Sequence, residues 1–528
     1  MARERRAPQQ RRLNRPLVPP RRCRKRSAEG SNVSLKERMI EGEPSTELLF
    51  ERLFATAEYA FWLDSADAPT ALAQSSYLGT TAGPGGAVIE YDVDSGIVKK
   101  TAAGESSTES ASIFDVLDRE LQEHGVEAPA GVARGLVGGY VGYLGYECKA
   151  DCGSSNVHSS DLPDAIMMLA NRVVAVDHLG KRTRLLAVCS GEDSEADAWL
   201  DAAETAVRET LAGPGLEREL PEAENAGVLE PVRFECGRGR RKYLADIARC
   251  QAALAAGESY EVCLTDQIST TESPDPFQLY RILRRANPAP FAAYLKLGEA
   301  AVISSSPERF LSVDRDRRVQ ARPIKGTTPR SSDPIQDVEL RTELLQDEKT
   351  FAEHLMIVDL LRNDLGRVCE VDSVRVPDFM VVESYATVHQ LISNVTGVLE
   401  PGRTPVDCVR ACFPGGSMTG APKLRTMEII DDIEREARGV YSGALGYFGL
   451  DGSVDLSIVI RTIVMRPGAT TIGAGGAIVM QSDPESEFEE RLLKARAPMS
   501  AIARAGTGSD SPEAWTIELE PALAKAHS

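Results

Sequence analysis

Several stretches of the chain repeat apolar residues at helical spacing. From Lys242 to Ala256, Leu244, Ile247, Ala248 and Leu254 fall on one stripe, and Gly257 follows where a helix needs a left-handed cap. Phe351, Leu355, Val358, Leu361 and Leu365 mark a longer helix that stops at Gly366; its other faces are also largely apolar, which predicts burial. After Asp483-Pro484, an N-cap followed by proline at the first helical position, Phe488, Leu492, Ala495 and Met499 predict the last long helix. An alanine-rich surface helix is predicted over Asp193–Leu211. Strands are predicted over Tyr260–Ile268 and in the Gly-Tyr alternation of Leu136–Tyr146. Strands and helices alternate with few clean βαβ periods, so the fold class is read as α+β.

Composition breaks divide this pattern into a basic, disordered tail over 1–44, a first region over 45–212, a linker over 213–233, a second region over 234–505 and a tail over 506–528. The chain holds 60 lysines and arginines against 79 acidic residues, a net charge of -19, which disfavours nucleic acid and anionic lipid as general partners. The first 26 residues run against that balance, with ten arginines, Lys25 and only Glu4. They lack an apolar run that could fold or serve as a secretory segment. An Arg-rich arm could bind RNA or act as a targeting segment, although a solvated extension explains it as well. No window reaches the 18 apolar residues of a spanning helix, so no membrane association is expected. The ten cysteines, whose closest pairs are Cys148 with Cys152 and Cys408 with Cys412, fit neither zinc nor C-x-x-C redox spacing. They are expected as reduced thiols in a cytoplasmic protein.

Candidate chemistry gathers in the second region. Glu487 and Glu490 stand one turn apart on the last helix with Lys494 a turn further, a spacing that suits one hard cation or an ordinary i,i+4 ion pair. Glu353 begins the apolar helix, where an acid must be paired, metal-bound or turned to solvent. Pro323-Ile-Lys325-Gly-Thr327 holds a lysine between a fixed and a flexible residue; a desolvated lysine becomes a nucleophile, while most loop lysines are inert. His389 lies in an apolar run, as a proton carrier or a satisfied core residue. Gly415 to Lys423 is a hydroxyl-bearing turn before a helix, able to bind carboxylate or phosphate, but it is not G-x-x-x-x-G-K-[ST]. Gly473-Ala-Gly475-Gly476 likewise fails the dinucleotide fingerprint.

Taken in order, Ser304-Ser-Ser-Pro-Glu308-Arg-Phe310, the Lys325 pentapeptide, Ala352 through Gly366, Gly415 through Lys423, Tyr441-Ser-Gly-Ala-Leu-Gly446 and Ser486 through Lys494 resemble the chorismate-utilising enzymes. That family comprises the anthranilate, aminodeoxychorismate, isochorismate and salicylate synthases. The first region resembles the same proteins through Phe61-Trp-Leu-Asp-Ser65 and Gly138 to Tyr146. The resemblance implies two large antiparallel sheets packed as a sandwich and wrapped by helices, with the site in the second region. It assigns Glu353 and Glu490 to Mg2+, with Glu487 close by. Tyr441 and Arg461 are assigned to the enolpyruvyl carboxylate of chorismate, and Ser417, Lys423, Gly475 and Gly476 to substrate contacts. His389 is placed near the ring, and Glu308 is the acid that helps the 4-hydroxyl leave.

Lys325 decides the branch, because members that form aminodeoxychorismate carry Pro-Ile-Lys-Gly-Thr where anthranilate synthases usually have alanine. The implied product is 4-amino-4-deoxychorismate, precursor of 4-aminobenzoate and folate; component I of anthranilate synthase is the alternative. Glu261 takes a substrate-side position where many amination members have glutamine and water-adding members lysine, which argues against isochorismate and salicylate chemistry. Asp64-Ser65 stands where tryptophan-inhibited members tend to have Glu-Ser, so weak or no inhibition by tryptophan is expected. None of the ten cysteines sits in a Gly-x-Cys-x-Gly elbow. Ammonia is therefore expected from a separate glutamine amidotransferase subunit.

Overall fold

The computed structural model describes residues 33–65, 74–83, 85–126, 135–155, 157–190, 194–213, 230–385 and 388–520. Most of the expected linker and the whole Arg-rich stretch lie outside them. Among the described residues two sheets of thirteen and twelve strands carry the chain. The first runs from edge to edge through Val33–Glu41, Arg182–Ser190, Arg172–Asp177, Ser75–Thr80, Tyr59–Asp64, Phe291–Leu297, Ala300–Ser306, Thr462–Arg466, Ala469–Ile478, Glu261–Thr270, Val232–Cys236 and Trp515–Glu518, with the short Gly420–Ala421 paired to Glu261–Thr270. In the second, Ile324–Pro329 pairs Val388–Val398 at one edge, and Gly139–Leu144 lies between Ala444–Gly449 and Ala165–Ala170. Among the described residues every strand pairing is antiparallel except that of Val232–Cys236 with Trp515–Glu518.

Period-two alternation builds the layers. In Ala165–Ala170, Ile166 and Met168 face one apolar cluster while Met167 and Leu169 face another. The first cluster joins Phe61, Leu295 and Val302 of one sheet to Val141, Leu445 and Tyr447 of the other, so the two sheets form a sandwich. Helices Ile113–Glu123, Glu348–Gly366 and Pro405–Cys412 cover the outside of the second sheet. Thr46–Leu53, Ser194–Ala212, Pro276–Ala286 and Pro484–Thr507 cover the outside of the first. The expected α+β sandwich is the observed fold.

Three expectations are corrected. Val33–Glu41, inside the stretch read as tail, pairs through nine residues with Arg182–Ser190, and Glu37 meets Arg184 at 2.6 Å. Its charged positions hid this edge strand, because Lys36 and Arg38 are half-buried in ion pairs with Asp197, Asp201 and Glu204 of Ser194–Ala212. Trp515–Glu518, also read as tail, is a strand whose Trp515 packs edge-on to Phe234. The helix Glu348–Gly366 is buried on one side only: Ile357, Val358, Leu361 and Leu365 face the core, while Phe351 and Leu355 are 46% exposed. All nine described cysteines are free, and no described helix is long and apolar enough to cross a membrane.

Candidate active site

Four segments bring the acid, the lysine and their supports together. Glu308 follows the strand Ala300–Ser306 and is buried; its Oε1 accepts a hydrogen bond from Ser417 Oγ at 3.0 Å. Burial pushes its carboxyl up to about 7, against the opposing effects of that hydrogen bond and of Lys325 and Lys494. Ser417 lies in the short turn Gly416–Met418, whose Met418 carbonyl accepts from the buried Arg438 at 2.7 Å.

Lys325 belongs to Ile324–Pro329, where the register shifts between Ile324 and Thr327. Gly326 makes this possible with φ +82; a Cβ there would stand 2.5 Å from Thr350. The side chain leaves the ladder and Nζ donates to Glu261 Oε1 at 3.1 Å. Burial disfavours the ammonium, but Glu261 and Glu353 outweigh it and hold its pKa above the ordinary lysine value.

Carboxylates from two helices face the same space. Lys349 Nζ lies 3.0 Å from Glu487 Oε1 and 3.8 Å from Glu353 Oε1, and Glu490 meets Lys494 at 2.7 Å. Burial raises Glu353, while on Glu490 Lys494 overcomes the effect of burial and lowers the pKa. An ammonium drawn between hard oxygen donors marks a place that suits a divalent cation. Among the described residues no three ligating side chains close into a ready coordination shell. Gly475 and Gly476 complete this wall: Lys494 donates to the Gly475 carbonyl at 3.0 Å, and a Cβ on Gly476 would stand 3.2 Å from Glu487.

Tyr441 is buried, its ring seated so closely on Gly473 that a Cβ there would fall 2.0 Å from the ring. Arg461 sits in a left-handed turn, φ +52, with its carbonyl accepting from Ser305 N at 3.2 Å. No described carboxylate pairs with its half-buried guanidinium, and burial lowers its pKa. A partly desolvated guanidinium without a counterion is a place for an external anion.

Two expected residues are not brought to this cluster. His389 is buried with Nδ1 2.7 Å from Ser384 Oγ and Nε2 3.0 Å from Asp337, on the side of its strand covered by Pro334–Gln346. Lys423 spends its three donors on Asp364 and the carbonyls of Cys412 and Pro414, tying down the turn that carries Ser417. Three participants escaped the sequence reading. Lys349 was detectable as the i-4 partner of Glu353. His354, whose ring is kept neutral by burial and by Lys325 with a pKa lowered to about 4, and Arg438 gave no signal that separates them from structural residues.

A separate cavity of about 450 Å³ is lined by residues including Asp64, Ser65, Pro290, Phe291 and Tyr447. The Asp64 carboxylate accepts there from Ser76, Tyr280 and Arg284 at 2.9, 3.1 and 2.8 Å.

Residues 60–500 match the family described as chorismate binding enzyme. The chain belongs to the chorismate binding enzymes. An aminodeoxychorismate synthase of Streptomyces griseus is 46% identical over 467 residues, covering 88% of this chain and 64% of the relative. An anthranilate synthase component 1 of Thermus thermophilus is 40% identical over 376 residues, 70% of this chain and 79% of that one. The crystal structure of anthranilate synthase component I from Streptococcus pneumoniae superposes with a TM-score of 0.66 at 28% identity, covering 82% of this chain and 93% of that one. This chorismate binding enzyme thus spans a little under two thirds of the length of its S. griseus relative.

Proposed function

We propose that the chain aminates chorismate at ring C4, forming 4-amino-4-deoxychorismate for 4-aminobenzoate and folate synthesis. The observation that carries this reading is the placement of Lys325, half-buried and tethered in the same charge cluster as an acid whose carboxyl is pushed up to about 7. The Lys325 amine forms a bond to ring C2, both ring double bonds shift, from C1=C2 and C5=C6 to C1=C6 and C4=C5, and the C4–O bond breaks. Glu308 supplies the proton with which the hydroxyl departs as water. Ammonia then bonds to C4 as the C2–N bond breaks, which returns Lys325 and keeps the enolpyruvyl group. Two allylic displacements replace one difficult direct substitution. Tyr441 and Arg461 hold the enolpyruvyl carboxylate.

Glu353 and Glu490, with Glu487 behind them, would hold Mg2+, which when bound supplies positive charge to the ring carboxylate. Lys349 pairs with two of these carboxylates, Glu487 and Glu353. Ammonia comes from a separate glutamine amidotransferase subunit. The higher identity to the S. griseus aminodeoxychorismate synthase supports this reading; the T. thermophilus relative supports formation of anthranilate and pyruvate as the second.

Incubation with chorismate, Mg2+ and ammonium, followed by mass spectrometry with and without an aminodeoxychorismate lyase, tests the choice. A product that gives 4-aminobenzoate only after lyase is added is expected. Anthranilate without lyase would make Lys325 a bystander and select the second reading.

A further inference from the structure

We infer that Glu261 is the base that takes the proton from the Lys325 ammonium and so releases the amine for attack. The inference rests on the amination reading above, which needs Lys325 as a nucleophile. Glu261 opens the strand Glu261–Thr270 and is fully buried. Its backbone is fixed on both sides: Ser259 Oγ donates to its carbonyl at 2.8 Å, and the strand pairs Glu261 with Ala421. One carboxylate oxygen accepts from Lys325 Nζ at 3.1 Å, while the other, Oε2, is buried with no hydrogen-bond partner.

That asymmetry leaves one charged acceptor of the pair carrying its full desolvation cost. Moving one proton from Nζ to the carboxylate turns the ion pair into a neutral acid and a neutral amine and removes that cost. The transfer balances over the cycle. Glu261 gains the proton and Lys325 attacks C2 as a free amine; when ammonia has displaced it at C4, the amine leaves neutral and recovers its proton from Glu261. The other groups facing Lys325 are poorer acceptors. Cys263 is a thiol pushed up by burial, His354 is a base weakened by burial and then by the lysine, and Glu308 must keep its own proton for the leaving hydroxyl. Glu353 and Glu490 face the lysine as charges, with no hydrogen bond to it.

The test compares Glu261→Gln and Glu261→Asp with wild type for ammonia-dependent turnover of chorismate between pH 6 and 9. Glu261→Gln conserves shape but cannot accept the proton, so the loss at pH 7 should be about 10²–10⁴-fold. The ammonium must then lose its proton to water, so the variant-to-wild-type ratio should climb roughly tenfold per pH unit until the lysine is titrated. Glu261→Asp, which keeps a carboxylate, should be slower with a ratio flat in pH. A ratio for Glu261→Gln that is constant across the range, activity within about threefold of wild type at pH 7, or the same slope in Glu261→Asp would overturn the assignment. Failure of the underlying reading looks different: Lys325→Ala would retain amination, or wild type would make anthranilate.

Discussion

Replacing Glu308 with glutamine should make the protein more stable in mild alkali and nearly inactive. In the folded chain the carboxyl is pushed up to about 7 by burial, while an unfolded chain ionises near the ordinary value of 4.5. Between those values the native state binds more protons than the unfolded one, so stability falls as pH rises. Each pH unit of that window is worth about 1.4 kcal/mol, so by pH 8 the buried carboxylate costs about 3 kcal/mol. Glutamine has no proton to lose. Glu308→Gln should therefore match wild type near pH 4.5 and exceed it by up to about 3 kcal/mol at pH 8, roughly 3 °C in melting temperature for a chain of this length. Function runs the other way, since the amide cannot supply the proton with which the 4-hydroxyl leaves, and turnover should drop about 10²–10⁴-fold. In wild type, turnover should decline above pH 7 as the acid empties. Thermal melts at pH 4.5, 6 and 8 with parallel turnover assays check both arms. Equal melting temperatures at pH 8, or a variant that retains a tenth of the activity, would refute the reasoning that burial keeps this acid protonated for catalysis.

Arg461→Gln should raise KM for chorismate about 10–100-fold, the worth of a lost charge-assisted hydrogen bond, and leave the melting temperature unchanged or higher, because its guanidinium has no described carboxylate partner; a lowered melting temperature with unchanged KM would show a structural role. Glu490→Gln should shift the Mg2+ dependence of turnover to concentrations about tenfold higher or more, read by titrating the metal after chelation; an unchanged titration would remove Glu490 from the cation site. Tryptophan should inhibit weakly or not at all, because Asp64 is already engaged by Ser76, Tyr280 and Arg284 and cannot take up an ammonium group. Turnover titrated with tryptophan checks this, and full inhibition would sink it.

The helices were legible because their period is local: the stripe of Phe488, Ala495 and Met499 needs no knowledge of a partner to predict a buried face. Sheet membership was not, since the alternation of Val33–Glu41 gains meaning only from the strand 150 residues away that it pairs. The same limit explains His389. A residue in a strand points to one of two faces, and Leu391, two positions on, packs with Leu344 of the helix that supplies Asp337. The motif marked the strand but not the face. Lys423 shows the complementary limit: a lysine in a ligand-binding turn can serve the ligand or the turn, and only the carbonyls of Cys412 and Pro414 decide.

The composition break near 213–233 separates two stretches of sequence without separating two structures. Tyr59–Asp64 pairs Phe291–Leu297 in one sheet, and Gly139–Leu144 pairs Ala444–Gly449 in the other. From the first region, Glu147 accepts the backbone N–H groups of Arg438 and Gly439 at 2.9 and 3.0 Å, just before the turn of Tyr441. Arg438 in turn donates to Glu434, to the Cys263 carbonyl beside Glu261 and to the Met418 carbonyl beside Ser417. Buried charges of this kind add little net stability but tolerate few alternative arrangements, because a misplaced partner leaves an ion unsolvated. The register that places the Ser417 turn against Glu308 and the Glu261 strand against Lys325 is therefore set partly by Glu147, which stands 291 residues before the Arg438 it holds. The residues proposed for the chemistry lie in the second region, and the spacing between them depends on the first.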